Sequence, residues 1–150
     1  MIVLIQRVSS ARVYVESDPD RVNAIGPGMV VLLGVSQADT EADCNKIAAK
    51  LRKLRIFADE NGKMNLDISA AKGELLLISQ FTLLADVTGG NRPSFITAAP
   101  PELAKDLYQK LAQKLSETDV AVKTGFFAEY MQIETILDGP VTIYLDSKKL

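Results

Sequence analysis

Glu74-Leu75-Leu76-Leu77-Ile78-Ser79-Gln80-Phe81-Thr82-Leu83 is the run from which the fold can be read. Its first half has no polar face, so residues 74–78 form a strand covered on both sides. Its second half changes polarity abruptly. Ser79 and Thr82 bring hydroxyls, Gln80 an amide and Phe81 an aromatic wall. Residues 29–35 repeat the continuous apolar pattern and give a second central strand.

Working outward, residues 2–8 and 11–16 read as two strands, with Val13 and Val15 alternating against Arg12, Tyr14 and Glu16. Ser17-Asp18-Pro19-Asp20 is a turn cluster, residues 22–26 a short strand and Gly26-Pro27-Gly28 a further turn. Thr40-Glu41-Ala42-Asp43 carries the signature of a capping box. Ile47, Leu51 and Leu54 follow on one helical stripe. Residues 58–73, rich in Asp, Asn, Gly and Lys, read as a long loop, and 86–101 as irregular. Pro100-Pro101 opens a second helix with the stripe Leu103, Leu107, Leu111 and Leu115. Strands at 119–123, 130–137 and 140–145 complete the order ββββ-α-β-α-βββ. The class is α/β of the α+β type. It has one domain over residues 1–150 and a mainly antiparallel, sheet or barrel-like core with two helices packed on one side.

Composition narrows the chemistry. The 150 residues are 47% hydrophobic and 24% charged, with net charge −2, one cysteine and no histidine. That charge excludes a global basic footprint of the duplex-binding kind, though not a local patch. The densest basic run is Lys50, Arg52, Lys53 and Arg55, with Lys46 one turn earlier; it reads as a solvated helix face. The single Cys44 allows no internal disulfide, suits a reducing compartment and reads as a structural thiol. The first residues lack a basic n-region and a long apolar core, and no stretch approaches the ~18 residues of a membrane span, so a cytoplasmic soluble protein is expected. Without histidine, a His-activated nucleophile and a His-rich metal site are excluded. Chemistry must come from hydroxyls, backbone groups, carboxylates, Lys or the substrate.

Two segments stand out. Where Ser79–Leu83 leaves its sheet, backbone N–H groups can bind a developing oxyanion; equally, the strand can run on into a capped turn. Gly139-Pro140-Val141-Thr142 sits between strand-like runs. X-Pro bonds alone are cis at appreciable frequency, about 5% in folded proteins. A cis bond would make a rigid polar tip, and a trans bond a plain hairpin turn. Arg7, ending an otherwise apolar run, either holds such a turn or points to solvent. Arg92-Pro93-Ser94-Phe95 suits a phosphate or base contact as well as a surface loop.

Taken together, Arg7-Val8, Leu54-Arg55-Ile56-Phe57, Gly62-Lys63-Met64-Asn65, Gly73-Glu74-Leu75, Ser79–Leu83, Arg92–Phe95, Thr124-Gly125 and Gly139–Thr142 resemble the D-aminoacyl-tRNA deacylase family nearly end to end. The resemblance implies a homodimer with active sites at its interface. It implies hydrolysis of D-aminoacyl-tRNA, and of glycyl-tRNA mischarged on tRNA-Ala, in translation quality control. The partner is the 3′ end of aminoacylated tRNA, with no cofactor, metal, membrane or DNA. Ser79, Gln80, Phe81 and Thr82 would form the catalytic floor. Gly139, Pro140, Val141 and Thr142 would enter from the other subunit, cis at the Gly-Pro bond. Arg7 would support that turn, and Met131 and Phe126 would wall the pocket. The chain departs from the family pattern at Leu137 (usually Asn), at Ala128-Glu129 (usually a small pair) and at Gly89 (often Lys). Two other readings stay open: a dimeric RNA- or protein-binding module, such as a tRNA-binding one, that has lost turnover, which these departures support, and a hydrolase of free D-amino-acid esters or amides.

Overall fold

A computed structural model describes all 150 residues, except for the side chain of Pro19. The elements are β1 (Ile2–Val15), β2 (Asp18–Ile25), β3 (Gly28–Gly34), α1 (Glu41–Lys53), β4 (Phe57–Ala58), β5 (Met64–Leu66), β6 (Glu74–Ser79), α2 (Pro101–Ser116), β7 (Val122–Thr124) and β8 (Met131–Asp146).

β1 is one strand, not two. Along one edge its first half pairs antiparallel with β3 and its second half with β2; along the other it pairs antiparallel with β8 over its length. Ser9-Ser10 does not break it. Register shifts between Gln6 and Val8 and between Val8 and Ser10 absorb the irregularity instead. The buried positions step accordingly, from Val3 and Ile5 to Val8 and then to Ala11, Val13 and Val15. β1 thereby passes from one apolar cluster to the other.

The sheet order is β2-β1-β3-β6-β7, with β8 on β1. β3–β6 and β6–β7 are parallel. These are the two junctions bridged by helices, since a parallel pair requires a crossover. Asn23 Nδ2 donates to Thr124 O at 2.8 Å, linking β2 to β7 and nearly closing the barrel. β3 and β6 are buried on both faces, as their unbroken apolar runs demand. Met29, Val31, Leu33, Leu75 and Leu77 face the helices, while Val30, Leu76 and Ile78 face the barrel interior.

Thr40 caps α1, and its N–H donates to Asp43 Oδ2 at 2.9 Å. Cys44, Ile47, Ala48 and Leu51 turn inward. Pro101 opens α2, which buries Leu107, Tyr108, Leu111 and Leu115. The Tyr108 hydroxyl donates to Leu77 O at 3.0 Å, and burial pushes the phenol up to about 12. The segment 58–73 contains part of a short antiparallel hairpin, β4 with β5, whose strands are too short to show a period. The turn before β2 falls one residue earlier than the Ser17–Asp20 cluster suggests, because the strand already begins at Asp18. Among the described residues no helix is long and apolar enough to cross a membrane.

The final two strands of the sequence reading are also one. Gln6 pairs with Thr142 and Val8 with Leu137, so residues 138–141 stand opposite Arg7 alone and bulge from β8. The Gly139-Pro140 bond at their centre is cis.

Candidate active site

β6 carries Ser79 to the end of the sheet, and the ladder persists one residue further: Gln80 N donates to Leu33 O at 2.7 Å. The chain then turns through one 3-10 turn, Phe81–Leu84, closed by Leu83 N to Gln80 O at 3.2 Å. Gly34 permits this close approach. A Cβ there would lie 3.1 Å from Leu83 Cβ and 3.3 Å from Gln80 O. As at any helix start, the first N–H groups have no intrahelical partner. Among the described residues, the Phe81 and Thr82 N–H groups donate to no protein acceptor. The N–H of Gln80, by contrast, is fixed in the sheet and is not available to a ligand.

A cavity of about 580 Å³ opens beside this turn. Ser79, Gln80 and Phe81 form one wall, Ala98, Ala99 and Ala104 a second, and Phe127 to Met131 a third. Phe81 and Phe95 pack edge to face at 5.0 Å between ring centres. Among the described residues, Glu129 and Tyr130 are the titratable groups that line the cavity. The Glu129 carboxylate is paired with Arg21 at 3.2 Å. Ala128, with φ 62, holds the left-handed conformation that is uncommon outside glycine, so the third wall is built on a constrained turn.

The structure gathers Ser79, Gln80, Phe81 and Met131 around one cavity. Thr82 is exposed at its margin and does not line it. The Thr82 hydroxyl accepts a short hydrogen bond from Gln80 Nε2. Phe126, expected as a wall, lines a neighbouring concavity of about 420 Å³, where the Arg21 guanidinium lies 4.8 Å from its ring centre. Its neighbour Phe127 provides the wall instead. Proximity to Met131 was the only sequence signal for Phe127 and Tyr130, because aromatic residues in a strand-rich chain read equally well as core.

Gly139, Pro140, Val141, Thr142 and Arg7 do not border the cavity of their own chain. Gly139 has φ 124, and a Cβ on it would meet Val141 Cγ2 at 2.8 Å and Arg7 Nη2 at 3.2 Å. Arg7 Nε donates to Asp138 O at 3.2 Å and pairs with Asp138 Oδ2 at 2.9 Å. Its Nη1 donates to Ile56 O at 2.5 Å. Leu137 is half exposed and pairs with Val8 in the ladder. The bulge is therefore tethered through Arg7 and Asp138. Cys44 is buried against Leu107 O, and burial pushes its thiol up to about 11, which is the setting of an inert thiol. Among the described residues no cluster of three or more His, Cys, Asp or Glu side chains forms a metal site.

These features define a class: a nearly closed mixed barrel, two helices on one face, and a histidine-free cleft where its central strand ends. A family profile described as D-Tyr-tRNA(Tyr) deacylase matches residues 4–146. The chain is similar to the D-aminoacyl-tRNA deacylases of Persephonella marina (53% identical, 100% of both chains) and of Thermotoga petrophila (49% identical, 100% of this chain and 99% of the relative). Among solved structures it is similar to one titled c-Myc DNA Unwinding Element Binding Protein, with TM-score 0.89 and 38% identity over 97% of this chain and 98% of that one. A probable eukaryotic D-amino acid tRNA deacylase shares the fold, with TM-score 0.79 and 17% identity over 96% of this chain and 97% of that one. The chain belongs to the D-Tyr-tRNA(Tyr) deacylase family.

Proposed function

We propose that this protein hydrolyses the ester joining a D-amino acid to the terminal ribose of tRNA, releasing the free amino acid and tRNA as a chiral proofreading step in the cytoplasm. The names of its full-length relatives support the reaction. The observation that carries the mechanism is a cavity with the free N–H of Phe81 in its wall, that of Thr82 at its margin and, among the described residues, no unpaired carboxylate or histidine lining it. The Phe81 and Thr82 N–H groups would stabilise the oxyanion formed as water adds to the ester carbonyl. Glu129 is already paired with Arg21, and no histidine exists to activate a hydroxyl. The vicinal ribose hydroxyl therefore relays the proton from water to the departing oxygen. Thr82, whose hydroxyl accepts from Gln80, supports the turn and is not the nucleophile.

Selectivity belongs to the Gly139-Pro140 tip. A pocket that must admit many side chains cannot discriminate by fitting one, since a methylene is worth only about 1–3 kcal/mol. Handedness has to be read at the α-carbon, and a main-chain wall does this by obstructing an L side chain. The tip does not reach the cavity of its own chain. On this reading a second copy supplies it, and the working unit is a homodimer with its sites at the interface. The exposed apolar side chains of β8, Ile133, Ile136, Leu137 and Tyr144, support such a contact. Glycine has no side chain for the wall to meet, so glycyl-tRNA, including tRNA-Ala mischarged with glycine, is also a substrate.

The test is to follow ester loss from D-tyrosyl-, L-tyrosyl- and glycyl-tRNA. Loss of the D and glycyl esters with the L ester spared is the expected result. Binding of tRNA with every ester retained would overturn the reading in favour of a binding module.

A further inference from the structure

Residues 46–57 carry Lys46, Lys50, Arg52, Lys53 and Arg55 and no acidic residue, within a chain of net charge −2. Lys46, Lys50 and Lys53 share one face of α1. Lys46 is engaged by Ser147 O and Leu150 O. Lys50, Lys53 and Arg55 are exposed, as is Lys63 on the β4–β5 hairpin. Among the described residues none of these four lies in an ion pair. Arg55 Nε donates to Asn65 O at 2.8 Å, which pins the hairpin and leaves the terminal guanidinium nitrogens free. The nearby Asp59 does not pair with these cations. Its carboxylate accepts from the N–H groups of Asn61 and Lys63 at 2.9 and 3.0 Å, and from Asn65 Nδ2 at 3.2 Å.

The position of this patch gives it a role. Arg7 donates to Ile56 O with one nitrogen and to Asp138 O with another. The segment that follows α1 and the base of the Gly139-Pro140 tip are therefore bridged by a single guanidinium. Arg55, next to Ile56 in the chain, is thereby carried to the side of the tip, with the other cations on the helix and hairpin it joins. Free, solvated cations clustered at one edge of an otherwise acidic molecule suit a polyanion with regularly spaced charge, which binds by releasing counterions.

We propose that Lys50, Lys53, Arg55 and Lys63 hold the phosphate backbone of the tRNA whose aminoacylated end occupies the partner subunit's cavity. This rests on the deacylase and dimer reading above. One subunit would then contribute both the tip that reads the α-carbon and the grip on the acceptor arm.

The test compares a triple alanine variant, Lys53→Ala/Arg55→Ala/Lys63→Ala, with the wild type. A second variant, Lys50→Ala/Lys53→Ala/Lys63→Ala, leaves the Arg55–Asn65 contact intact. The substrates are D-tyrosyl-tRNA and a D-tyrosyl-CCA trinucleotide; binding of uncharged tRNA and of a DNA duplex is measured alongside. Both variants should raise KM for the tRNA about tenfold or more, and flatten the dependence of log affinity on log salt by about 2. kcat and turnover of the trinucleotide should stay at the wild-type value. An unchanged KM and salt slope, or an equal loss on both substrates, would overturn the patch while leaving the deacylase reading in place. A wild type that turns over neither ester but binds tRNA through these cations would overturn the deacylase reading and keep the patch. Equal or tighter binding of the DNA duplex would overturn the assignment to RNA.

Discussion

The helix-covered face and the Gly139-Pro140 bulge are built on opposite terms. Beneath the helices, almost every polar group that goes inside is answered within the chain. Asp43 accepts from Lys148, from Ser147 and from the N–H of Thr40, and Asp39 pairs with the Met1 amine. At the bulge, residues 138–140 are exposed, apolar side chains of β8 face outward, and a wall expected of the cavity stands outside it. The first region is complete in one chain; on the dimer reading, the second acts against another copy. Stability and activity are thereby assigned to different places, and substitutions should separate them.

The largest effect is expected at Gly139. Ala there would sit at φ 124 with its Cβ 2.8 Å from Val141 Cγ2, so the tip must shift. A displacement of this size at a positioning element costs about 100-fold in turnover. The bulge lies on the surface, so thermal melting should barely change. Loss of the fold together with activity would show that the bulge is structural.

Asp43→Asn should do the reverse. Burial alone would raise the Asp43 carboxyl, but hydrogen bonds from Lys148, Ser147 and Thr40 outweigh it and hold the group far below the ordinary range. Asp43 is buried but Lys148 is half exposed, so weakening these charge-assisted hydrogen bonds costs about 2 kcal/mol, or about 6 °C of melting temperature in a chain of this size. Turnover per folded molecule should be preserved. A carboxylate depressed in the folded state contributes stability that is present above its unfolded value, about 3.9, and is lost as pH falls through the folded value. The wild type should therefore melt at a constant temperature above about pH 5 and lose stability in acid. The variant, lacking this group, should fall less steeply.

The smallest effect is expected at Thr82. Its hydroxyl faces Gln80 and lies outside the cavity wall, so Thr82→Ala should lower turnover only about threefold, as for loss of one hydrogen bond. Loss to background with an intact fold would identify Thr82 as the nucleophile.

Much of this division can be read from the residues, with specific exceptions. The double-faced runs at 29–35 and 74–78, the Thr40 cap and the Pro101 start are local signals, and the chain obeys them. β1 and β8 each read as two strands because Ser9-Ser10 and Gly139-Pro140 look like breaks. Pairing along a neighbouring strand overrides that local preference and converts each break into a register shift. Parallel pairing of β3, β6 and β7 depends on crossovers that no local pattern encodes. At the site, the sequence marks Ser79–Leu83 and the family resemblance adds Met131, but neither tells which way each group faces. That the Gln80 N–H is held by Leu33, that Phe127 and not Phe126 reaches the cavity, and that Thr82 lies outside it follow only from how the chain leaves the sheet.

Completion of the cavity by a second copy is tested most directly by mixing two inactive proteins. In one, Ala98→Trp fills the cavity and spares the tip. In the other, Gly139→Ala spoils the tip and spares the cavity. In a symmetric dimer, random exchange of subunits restores one sound site to half of the dimers, or about a quarter of wild-type activity. Recovery to that level on D-tyrosyl-tRNA is the predicted result. Activity that stays at background after subunits have demonstrably exchanged would contradict the account.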